Sequence, residues 1–110
     1  MYPHPPKRHI KDFTDALMKI ADILYFFKEG SADKEKTEKR IIFLKAVLKK
    51  RLKDDELESL NKEIEKVREL LDSFGRGAYE EYLKYLKKKR PEVIERFERS
   101  KKSSLLEFIK

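Results

Sequence analysis

The chain has 110 residues, with 28 Lys and Arg against 21 Asp and Glu, a net charge of +7 and no cysteine. That length allows one domain with a modest core, and the missing thiols exclude both a disulfide framework and a thiolate-ligated zinc site. No run of about 18 apolar residues is present, as a membrane span would need, and the start MYPHPPKRHI lacks the apolar stretch of a secretory signal, so a soluble, cytoplasmic protein is expected.

Pro3, Pro5 and Pro6 make residues 1–9 an extended arm. Ile10, Phe13, Leu17, Ile20, Leu24 and Phe27 then recur at steps of three and four, which predicts an amphipathic helix closed by Gly30. The turn GSAD offers Ser31 or Asp33 as the N-cap of a second helix, expected from about Asp33 to Lys53. Its run IIFLKAVL (41–48) is apolar nearly all round the axis, which predicts a central helix or, in the alternative, a face that meets a partner.

The apolar phase breaks between Leu52 and Leu57, and the cations of KKRLK precede the acids Asp54, Asp55 and Glu56, so a tight hairpin is expected there. The third helix carries Leu57, Leu60, Ile64, Val67, Leu71 and Phe74 and ends at FGRG. A fourth, about Ala78 to Lys89, is held by Tyr79, Tyr82, Leu83 and Leu86, with Tyr85 off the stripe and expected to be exposed. Pro91 begins a short fifth helix carrying Val93, Ile94 and Phe97, after which ERSKKSS reads as a tether. The fold class expected is all-α: a bundle of four to five helices over 10–101, between the arm 1–9 and a C-terminal peptide 102–110.

Charge is unevenly placed. Residues 1–53 are net +7, 54–83 net −6 and 84–110 net +6. Two clusters, LKKRLK (48–53) and LKKKRP (86–91), are either solvated helix ends or phosphate contacts, and the second reading makes Lys49, Lys50, Arg51, Lys53, Lys87, Lys88, Lys89 and Arg90, with Arg76 from its loop, candidate nucleic-acid-binding residues. Glutamine is absent and asparagine occurs once, at Asn61. Lys and Glu enrichment with few thermolabile side chains is the compositional mark of a thermophile, and the source is read as archaeal.

Catalysis is not expected. His4 and His9, on the Pro-rich arm without thiolate or ordered carboxylate beside them, make a poor metal site, so no metal and no cofactor are expected. Asp12, Asp15, Asp22, Glu58, Glu65, Glu69 and Asp72 fall mostly between apolar positions, on the solvated faces of their helices.

The tail is the sharpest feature. KSSLLEFI, read from Lys102, puts Leu105, Phe108 and Ile109 at positions four, seven and eight. This resembles the PCNA-interacting motif, or PIP box, of sliding-clamp clients (Q-x-x-[L/I/M]-x-x-[F/Y]-[F/Y]), and particularly archaeal versions, which often end a chain, carry lysines beside the motif and accept an aliphatic residue last. Lys102 stands where the family has glutamine. The resemblance covers about nine residues and implies a single 3₁₀ turn that carries Leu105, Phe108 and Ile109 together into a hydrophobic pocket of the clamp. Side chains three and four apart do share a face of such a turn. The expected function is therefore a non-enzymatic replication or repair accessory protein that binds the PCNA clamp as recruiter or inhibitor. The alternatives are a basic helical nucleic-acid-binding protein, or a small subunit of a homodimer or larger complex, with the tail structural.

Overall fold

The computed structural model describes residues 12–99; the arm 1–9 and the peptide 102–110, with His4, His9, Lys102, Leu105, Phe108 and Ile109, lie outside them. Helix α1 spans Phe13–Lys28, and Asp12 caps it by accepting the Asp15 N–H at 2.9 Å. Its other end is a Schellman closure, with Gly30 N–H donating to the Phe27 carbonyl and Ser31 N–H to that of Phe26. Gly30 takes φ 82°, where a side chain would strain the backbone.

Helix α2, Lys34–Leu48, starts at Asp33, whose carboxylate accepts the Lys36 N–H at 2.7 Å. It ends five residues before the expected Lys53. The N–H groups of Arg51 and Leu52 both turn back to the Leu48 carbonyl, and this turn drops Leu52 into the core. Helix α3, Asp54–Phe74, opens with three acids in its first turn, and Glu56 reaches back to accept the Lys53 N–H at 3.2 Å. Gly75, at φ 57°, turns the chain into one 3₁₀ turn, Gly75–Gly77. Helix α4 then covers Ala78–Lys89, and residues 91–99 are helical again after Pro91.

Cross-links at the helix ends fit an up-down-up-down bundle, in which successive helices, and α1 with α4, run antiparallel while α1 runs parallel to α3. Lys34 at the start of α2 meets Asp72 near the end of α3 at 2.7 Å, and Lys28 at the end of α1 meets Glu80 at the start of α4 at 2.7 Å. α1 touches α2, α3 and α4, whereas α2 and α4 stand at opposite corners without contact.

The central helix is therefore α1, which corrects the placement expected for α2. In α1 the residues Ala16, Leu17, Met18, Ile20, Ala21, Ile23, Leu24 and Phe27 are all buried, on more than one face. In α2 only Ile41, Leu44 and Leu48, with Thr37, are buried, while Phe43 is 71 % exposed and Ile42 56 %. A run apolar all round does not centre a helix whose first two turns, KEKTEKR, are charged on every side.

This placement orders two substitutions. Leu24→Ala, in the fully buried stripe, lowers stability by about 2–5 kcal/mol, whereas Phe43→Gln changes it by less than about 0.5 kcal/mol. Urea denaturation reads both, and the reverse order would place α2 at the centre.

Candidate interaction surfaces

The most built polar constellation lies between α3 and α4. Glu63 is 3 % exposed, and its Oε1 accepts from the Tyr85 hydroxyl at 3.1 Å and the Arg90 Nε at 3.3 Å. The Arg90 guanidinium also lies 4.9 Å from the Phe13 ring centre, so it joins α4 to the start of α1. Tyr85 stacks on Tyr82 at 6.1 Å and is half-buried, not exposed as expected, because its hydroxyl has a buried partner. The Tyr82 hydroxyl and Glu63 Oε2 are buried without a hydrogen-bond partner. Glu63 occupies a stripe position, three after Leu60 and four before Val67, so the helical period alone marks it as an inward charge. The apolar members of the stripe by themselves do not disclose it.

Asp15 and Asp22 are also buried, correcting their assignment to a solvated face: both sit on the enclosed α1, and Arg96 of segment 91–99 reaches Asp15 at 3.3 Å and Asp12 at 3.4 Å. Glu58, Glu65, Glu69 and Asp72 are exposed.

The candidate phosphate contacts divide into two groups. Lys49, Lys50, Arg51 and Lys53 are exposed in the α2–α3 turn, and Lys87, Lys88 and Lys89 are exposed at the end of α4. The antiparallel order puts both clusters at the same end of the bundle, on opposite corners. Arg76, exposed, and Arg90, half-buried, are both engaged by partners in the fold. Arg76 Nη1 donates to the carbonyls of Phe27 and Ala32, and its guanidinium covers the Phe27 ring at 4.7 Å, tying the loop after α3 to the turn after α1.

Among the described residues, apolar surface is left at Phe74 and at two larger places. One is the outer face of α2 with Ile42, Phe43 and Val47. The other is a groove of about 200 Å³ where α4 meets segment 91–99, lined by Tyr79, Leu83, Ile94 and Phe97 with Lys84, Lys87 and Glu98. Among the described residues no group of three or more His, Cys, Asp or Glu is placed to hold a metal ion, and no helix is long and apolar enough to cross a membrane. No protein-family model, curated protein or solved structure matches the chain.

Burial pushes the Tyr82 phenol well above its ordinary range, with the Glu63 charge adding to the effect, and burial followed by Glu63 raises Tyr85. A raised phenol keeps its proton in the fold at a pH where the open chain loses it. The stabilisation is thus complete below pH 10, the ordinary value, and is lost as pH rises above it.

Two chemically identical substitutions should therefore differ at neutral pH. Tyr82→Phe removes an unpartnered hydroxyl and leaves stability unchanged or raised by up to about 1 kcal/mol. Tyr85→Phe strips a donor from buried Glu63 and lowers it by about 1–3 kcal/mol. Tyr82→Phe also moves the alkaline unfolding midpoint upward, read by circular dichroism.

Proposed function

We propose that the chain is a non-enzymatic accessory protein of DNA replication or repair that docks on the PCNA sliding clamp through its C-terminal peptide. The observation that carries this is the spacing of Leu105, Phe108 and Ile109 in KSSLLEFIK, in the pattern of clamp clients. The buried apolar residues of the described bundle run from Ala16 to Phe97, and the polar stretch ERSKKSS separates Phe97 from Leu105. Glu98 and Arg99 still belong to the helical segment 91–99, and residues 100–104 beyond it can span up to about 3.3–3.6 Å each, enough to present a peptide clear of the bundle.

Magnitudes suit this role. Burying three large apolar side chains contributes roughly 1.5–3 kcal/mol each, and ordering a tail offsets part of it. The peptide alone then reaches about micromolar affinity, near −8 kcal/mol. In this reading the clamp client either recruits a partner or inhibits by occupying the pocket, and a polymerase processivity assay separates the two.

A second reading is favoured by the seven exposed cations at one end of the bundle, namely Lys49, Lys50, Arg51, Lys53, Lys87, Lys88 and Lys89. They would contact phosphate without reading sequence, with affinity that collapses as salt rises.

Titration of the full chain and of peptide 99–110 against an archaeal clamp tests the first reading. Phe108→Ala should weaken binding at least 30-fold and Lys101→Ala less than threefold. Absence of binding at about 100 μM, or a Phe108→Ala chain that binds like the parent, would contradict it.

A further inference from the structure

The outer face of α2 is a compact patch. Ile42, Phe43 and Val47 are 56, 71 and 37 % exposed, and with exposed Ala46 they stand at i, i+1, i+4 and i+5, neighbours on one face. Together they present on the order of 300 Å² of apolar surface, the size at which a patch on a monomer is often functional. It is not left over from a weak core, because Ile41, Leu44 and Leu48 already anchor α2 to the bundle.

The charge around the patch identifies what covers it. Residues 34–53 carry nine basic and two acidic side chains, net +7, and of the two acids Glu35 is paired with Lys39 at 3.1 Å. Lys45, Lys49, Lys50 and Arg51, which follow Ile42, Phe43 and Val47 by one turn or less, are exposed. Arg40, one turn before Phe43, has both terminal nitrogens buried, so the cations open to a partner are those that follow the patch. A second copy laid on this face would set +7 against +7. Even the antiparallel arrangement opposes the 49–51 end to residues 34–40, themselves net +2. A bilayer interface calls for an apolar face along a whole helix, and here it covers six residues, under two turns. Phosphate binding by the lysines gives Phe43 no role.

We propose that this face docks an acidic amphipathic helix of another protein, with its apolar side chains at i, i+3 or i+4, and i+7 set on Ile42, Phe43 and Val47 and its carboxylates facing Lys45, Lys49, Lys50 and Arg51. Apolar burial supplies the affinity, and opposite charge fixes the choice of partner and its direction. The proposal does not rest on the C-terminal peptide, so it and the clamp reading fail independently.

A display selection of random 16-residue peptides on the full chain carrying Phe108→Ala tests it. The enriched peptides should be acidic with apolar residues at helical spacing. By fluorescence anisotropy a representative should lose at least tenfold in affinity to Phe43→Gln, and severalfold to Lys49→Glu with Lys50→Glu, whereas 0.5 M salt should weaken it on the parent chain. Phe43 is exposed, so an unchanged melting temperature for Phe43→Gln separates lost binding from lost folding. Enriched peptides that are basic or unpatterned, or that bind the Phe43→Gln chain equally, would overturn the proposal. So would Phe43-dependent self-association in sedimentation velocity, or Phe43-dependent binding to phosphatidylglycerol vesicles.

Discussion

Enclosure of α1 by the other three helices is the constraint from which the rest of the architecture follows. A helix touched on three sides needs apolar or small residues beyond a single stripe, and α1 supplies them with Ala16, Met18, Ala21 and Ile23 beside Leu17, Ile20 and Leu24. With α1 in the middle, α2 and α4 fall at opposite corners, where one stripe each is enough. For α4 the stripe is Tyr79, Tyr82 and Leu86, and for α2 it is Ile41, Leu44 and Leu48. The apolar side chains α2 carries beyond that stripe have nothing left to pack against in the described fold.

Polar contacts then fix how the ends of the helices meet. Glu63 receives Tyr85 and Arg90, Arg76 closes the Phe27 and Ala32 carbonyls, and Arg96 spans Asp12 and Asp15. In each case the cation is arginine, whose planar fork serves several acceptors at once. The lysines of the two basic clusters remain at the surface. These three guanidiniums join elements of the fold, as do the ammonium groups of Lys28 and Lys34 through Glu80 and Asp72.

Much of this was legible from local signals. The 3.6-residue period, Gly30, Gly75, Asp33 and Pro91 marked the helices and their ends, and α4 fell on Ala78–Lys89 as expected. Those features act within a few residues, so a sequence displays them directly. The order of burial did not follow so easily. The run 41–48 is the densest apolar stretch, but what centres a helix is apolar residues on more than one face along most of its length, which α1 has and α2 lacks in 34–40. The premature end of α2 came from Leu52, which packs from a turn and imitates a helical position. Long-range pairings left no mark, since Arg76 lies 49 residues from Phe27 and 44 from Ala32. The clamp-like peptide, with Leu105, Phe108 and Ile109, rests on its sequence, outside the described residues.

The described residues thus form a helical core that turns apolar and basic groups outward on α2. The docking proposal depends on that division between a sealed α1 and an open α2, whereas the clamp reading rests on the C-terminal peptide alone. Hydroxyl-radical footprinting of the full chain, read by mass spectrometry, measures it most directly. Phe43 and Ile42 should label rapidly while Leu24, Phe27 and Tyr82 stay protected until the chain unfolds. Protection of Phe43 equal to that of Phe27 in the isolated monomer would contradict the account.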